Sequence, residues 1–129
     1  MKKLLSSFIL FSLFLVSCGG DTVFPLTRVE IHESGSKVSG IKDIWIGSTY
    51  TFTATFFNSK SQEMQVSNPE HILWTTNSPA SANASFIPVS TGAVVSFIAT
   101  VKPDGDSIYR IKVEYQSLTP YEINIQYKQ

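Results

Sequence analysis

Thr49-Tyr50-Thr51-Phe52-Thr53-Ala54-Thr55-Phe56 alternates without a break: Tyr50, Phe52, Ala54 and Phe56 fall on one side of an extended chain and the threonines on the other. Successive side chains of a strand point to opposite faces, so the stretch predicts a strand with one buried and one wet face. A helix cannot separate these residues in that way. The same period of two returns downstream. Val95, Phe97, Ala99 and Val101 alternate with Val94, Ser96, Ile98 and Thr100. Tyr109, Ile111, Val113 and Tyr115 alternate with Arg110, Lys112, Glu114 and Gln116, and Tyr121, Ile123, Ile125 and Tyr127 with Glu122, Asn124, Gln126 and Lys128. The last two runs are cleanly one-sided. Shorter candidates are Thr27 to His32, Ile41 to Ile46, His71 to Thr75 and Ser85 to Val89.

Between these runs lie residues with turn chemistry: Ser34-Gly35-Ser36, Asn58-Ser59-Lys60-Ser61, Asn68-Pro69, Asn77-Ser78-Pro79, Thr91-Gly92, Pro103-Asp104-Gly105-Asp106 and Ser117 to Pro120. From Leu26 onward no segment of useful length carries apolar residues at helical spacing. Short strands recurring about every 8–12 residues predict an all-β, two-sheet antiparallel β-sandwich over residues 26–129. The alternation places Phe52, Phe56, Phe97, Ile111 and Val113 in its core.

Ile44-Trp45-Ile46-Gly47-Ser48-Thr49, then Phe52-Thr53-Ala54, then Ile72-Leu73-Trp74-Thr75-Thr76-Asn77-Ser78 resembles the bacterial immunoglobulin-like (Big) domains, over roughly Val29 to Tyr115. The resemblance implies an immunoglobulin-like sandwich with Gly47 before its second strand and Trp74 as the central core residue on its third. It also implies a module of the kind found in surface proteins that adhere to hosts, polysaccharides or other proteins. The stretch between Ser78 and Gly105 is longer than the compact family pattern. No disulfide can assist the core, because the chain has 1 cysteine.

That cysteine belongs to the N-terminus. Lys2 and Lys3 precede Leu4 to Val16, an apolar run broken only by serines, which has the profile of a signal peptide. The run is well short of the roughly 20 apolar residues a membrane span requires. Leu15-Val16-Ser17-Cys18 resembles the lipobox of bacterial lipoproteins. The resemblance implies cleavage after residue 17, a diacylglycerol on the Cys18 thiol, acylation (palmitate) and anchorage in the cell envelope without a spanning helix. Residues 18–25 would then be a short tether of roughly 25 Å at full extension, keeping the domain near the lipid. Gly19 after the cysteine, where Asp would retain some lipoproteins at the inner membrane, resembles outer-membrane sorting in some Gram-negative bacteria.

Charge is balanced at 10 basic and 10 acidic residues, and loss of Lys2 and Lys3 leaves the remainder slightly acidic, which argues against a nucleic-acid partner. Catalytic chemistry finds little support. His32 and His71 are the only histidines, and no Gly-x-Ser-x-Gly elbow occurs. Glu70 and His71, adjacent on a strand, would face opposite ways. Glu30 and His32 share a face that alternation assigns to solvent, where they read as a wet pair. Asp104-Gly105-Asp106 has carboxylates spaced for calcium, but Pro-Asp-Gly is also hairpin chemistry, and the expectation is a turn with no metal. No cofactor is implied. The expected role is a non-enzymatic binding, adhesion or structural module with a protein or polysaccharide partner. The alternative is a small envelope enzyme or inhibitor; a transporter's solute-binding protein would need a larger framework. One residue is a candidate interaction site. If Ile44 and Ile46 pack inward, Trp45 points outward as an interface anchor; a shifted register or a covering loop would bury it.

Overall fold

A computed structural model describes residues 25–82 and 89–129. Cys18 and the lipobox-like stretch before it, almost all of the expected tether and most of the Ser85–Val89 run lie outside the described residues. The strands are β1 (Leu26–Glu33), β2 (Ser36–Lys37), β3 (Ile41–Trp45), β4 (Thr49–Asn58), β5 (Glu63–Met64), β6 (Leu73–Thr76), β7 (Val89–Thr91), β8 (Val94–Ile98), β9 (Ile108–Glu114) and β10 (Tyr121–Lys128). Single 3-10 turns occupy Pro69–His71 and Ala80–Ala82.

The first sheet runs β2-β1-β4-β5 with β8 also paired to β4, and the second runs β3-β10-β9-β6-β7. Strands β1, β4 and β8 in one layer and β6, β9 and β10 in the other reproduce the A-B-E and C-F-G faces of an immunoglobulin-like sandwich. The pairings are antiparallel except β3 with β10, which is parallel. The parallel pair arises because the chain crosses from the first sheet to the second between β1 and β3.

Two glycines make the local turns possible. Ser34 and Gly35 both have positive φ, 50° and 79°, and form the two-residue loop of the β1–β2 hairpin, whose geometry suits the right-handed twist of paired strands. Gly47, at φ 84°, is the third residue of the turn closed by the Ser48 amide donating to the Trp45 carbonyl at 3.1 Å. It reverses the chain between the sheets.

The core lies between the layers. Trp74, Phe52, Phe97, Ile111 and Val113 have no solvent exposure and Phe56 almost none. The Trp74 indole N–H is not stranded by that burial, since it donates to the Gly92 carbonyl at 2.7 Å. Phe56 meets Tyr115 edge-on at 5.0 Å, and Tyr109 meets Tyr127 in the same way at 5.8 Å. At the end of β4 the buried Asn58 accepts the amides of Lys60 and Gln62 on its Oδ1, so one side chain organises the turn into β5.

Alternation misplaces both Val101 and His71. Val101 is 59% exposed, because the chain leaves the ladder after Ala99: the Thr100 amide donates to Ala82 and its hydroxyl to Ser81. His71 lies in a 3-10 turn, outside any strand, and is exposed; β6 begins at Leu73.

Candidate functional site

Trp45 is the last residue of β3. Ile44 is fully buried and Trp45 is 50% exposed, the arrangement in which the indole points away from the core. The register shows what surrounds it. Trp45 stands beside Lys128; the next row holds Asp43, Gln126 and Ile108, the next Ile41, Asn124 and Arg110, and the next Glu122, Lys112 and Thr75. These rows are the outer face of the second sheet. Three of the large apolar residues that remain about half exposed, Ile41, Trp45 and Ile108, lie on it. Polar residues separate them.

The charges of this face are paired with one another. Lys128 lies 3.8 Å from Asp43, Arg110 lies 3.8 Å from Glu122, and Lys112 lies 2.7 Å from Glu114. Farther along the same face is a shallow depression of about 330 Å3 lined by Thr75, Thr76, Asn77, Arg110, Lys112 and Glu122. Asn77 is fixed there because its Oδ1 accepts the Arg110 amide at 2.7 Å, and the Thr76 hydroxyl donates to the Arg110 carbonyl at 2.7 Å. Every side chain lining it is polar.

Glu30 and His32 do share the outer face of the first sheet, but the wet pair expected from alternation is not what forms there. Glu30 is 7% exposed, covered by its own partners: Arg28 Nε donates at 3.1 Å and Lys37 Nζ at 3.3 Å, and His32 Nε2 lies 2.9 Å away. The Arg28 guanidinium also lies over the Phe57 ring at 4.3 Å. Burial pushes the Glu30 carboxyl up, yet the hydrogen bonds from His32, Arg28 and Lys37 outweigh it and hold the pKa at about 2, below the usual 4.5. A carboxylate so weakly basic and so fully engaged is a structural tie between β1 and β2 and a poor general base. The cluster was missed in the sequence because Lys37 reaches Glu30 only through the Ser34-Gly35 hairpin.

The remaining candidates disperse. His71 stands exposed before β6 in the second sheet, whereas His32 belongs to β1 in the first. Glu70 and His71 occupy one 3-10 turn, so the strand geometry assumed for them does not apply. In the Asp104-Gly105-Asp106 turn the chain supplies its own cation: Lys102 Nζ donates to the Gly105 carbonyl at 3.0 Å and lies 3.4 Å from Asp106 Oδ1. Among the described residues no group of histidine, cysteine and carboxylate side chains is clustered to hold a metal ion.

The chain matches no protein-family model, and no curated protein is significantly similar to it. Among solved structures it is similar to titin domain M7, with 11% identity over 81% of this chain and 98% of that chain and a TM-score of 0.40.

Proposed function

We propose that this chain is a lipid-anchored protein of a bacterial cell envelope, related to the Big-domain surface proteins, whose sandwich is a non-enzymatic module that docks a partner on the outer face of its second sheet. The observation that carries the docking surface is the trio Ile41, Trp45 and Ile108, each about half exposed on that one face. Large aromatic side chains held by a rigid strand are the residues that anchor interfaces. The anchor rests on Leu15-Val16-Ser17-Cys18 after a short apolar run, and acyl chains on Cys18 would hold the domain at the membrane at about 0.8 kcal/mol per buried methylene. A tether of this length keeps the module close to the lipid, and Gly19 favours the outer membrane if the envelope has one.

Cys18→Ala tests the anchor. It is expected to abolish metabolic labelling with a fatty acid and to leave an unprocessed precursor about 2 kDa heavier. Equal labelling of the two proteins refutes lipidation. The docking surface is tested by recovery of partners from envelope extract: Trp45→Ala is expected to lose them while its melting temperature stays nearly constant. Full recovery with the variant removes the face from the reading.

A further inference from the structure

We infer that the outer face of the second sheet binds a neutral, hydroxylated chain, an oligosaccharide lying across the strands from Trp45 to the Thr75–Asn77 depression. The inference rests on the docking face proposed above and names the chemistry of its occupant.

Three observations select that chemistry. First, the face is electrically neutral: each of its cations, Lys128, Arg110 and Lys112, has an acidic neighbour within 3.8 Å on the same face. A charged polymer would meet as much repulsion as attraction. Second, the apolar residues are not contiguous. Asp43 and Gln126 stand in the row between Trp45 and Ile41, so a protein partner would have to desolvate ion pairs at the centre of its interface, where charged residues are normally depleted. A sugar ring has apolar C–H faces that stack on an indole and a rim of hydroxyls that can replace water on the paired charges without drying them.

Third, the polar groups beyond Trp45 suit hydroxyl recognition. The depression presents hydroxyls, an amide, a guanidinium, an ammonium and a carboxylate, so donors and acceptors converge there. Arg110 and Glu122, 3.8 Å apart, are too far separated for a short hydrogen bond, and each retains capacity for a ligand. Strand and residue spacings put Arg110 roughly 17 Å from Trp45 along the face. That is the span of a short oligosaccharide. The platform is rigid, because Asn77 and Thr76 are bonded to the β9 backbone and Ile44 and Tyr127 pack beneath it.

The test is electrophoresis of the full chain, processed by the cell and held in a neutral detergent, through native gels containing a galactomannan, a xylan, a hydroxyethyl cellulose or a glycogen. Retardation in at least one gel is expected. Trp45→Ala should weaken it at least tenfold, Arg110→Ala severalfold, and Trp45→Tyr, which keeps an aromatic face, only slightly, with melting temperatures preserved. Retardation that survives both alanine variants places the sugar elsewhere and overturns the site. No retardation in any of the four gels overturns the glycan; recovery of a protein from envelope extract, lost with Trp45→Ala, would then leave the docking face standing without it. If Trp45→Ala is unstable, Arg110→Ala decides alone, since Arg110 is an exposed residue whose loss the fold tolerates.

Discussion

Glu30 shows how one side chain couples the fold to pH. Its folded pKa of about 2 lies below the usual 4.5, so the stability it contributes is fully present above about 4.5 and is lost as pH falls toward 2. The shift is set at a surface site beneath partly exposed cations, so solvent screening limits the contribution to about 1–2 kcal/mol. In denaturant titrations between pH 6 and pH 2, the native chain should lose that much more stability than Glu30→Gln. Parallel curves would show that the cluster contributes nothing. Trp74 is the larger single contributor. It is fully buried, and Trp74→Ala should cost about 3–5 kcal/mol as a core deletion and also strand the Gly92 carbonyl. An unchanged melting temperature would place Trp74 outside the core.

At the scale of elements, the strands are made by alternation and placed by turns. Gly47 turns the chain from β3 to β4 with φ at 84°, and nothing lies within 4 Å of the position a Cβ would take. The cost of Gly47→Ala is therefore conformational, about 1–2 kcal/mol for a left-handed alanine, with no clash to relieve. Gly47→Asn should cost less, because asparagine tolerates that region. Thermal melts in the order wild type, asparagine, alanine check this; an alanine variant as stable as wild type would refute the turn. The β3 ladder matters beyond stability, because its parallel register with β10 is what brings Trp45 beside Lys128 and Asp43 beside Gln126. β3 and β10 are separated by most of the domain, so no local pattern announces that pairing.

At the scale of the whole molecule, neither sheet is contiguous in sequence: the first takes β1, β2, β4, β5 and β8, and the second β3, β6, β7, β9 and β10. Each layer is completed only by strands that follow those of the other, and both bury their inner faces in one core. Residues 25–129 should therefore unfold in a single transition, with circular dichroism and tryptophan fluorescence coinciding and no helical signature. Separate transitions for the two probes would show that the sheets are independent.

The sequence alone determined the all-β class, most of the long strands and the inward set Phe52, Phe56, Phe97, Ile111 and Val113, because the period of two is a local property that one buried face enforces along each strand. It also carried Leu15-Val16-Ser17-Cys18, whose resemblance to a lipobox is read from a linear motif. Tertiary structure decided the rest. Whether Trp45 is buried or open depends on which strand lies beside β3, and whether Glu30 is wet depends on a lysine brought back by a hairpin. The depression at Thr75–Asn77 exists only because β6, β9 and β10 lie side by side. Sites are sums over strands distant in the chain, and the energy that selects those neighbours is spread over the whole core.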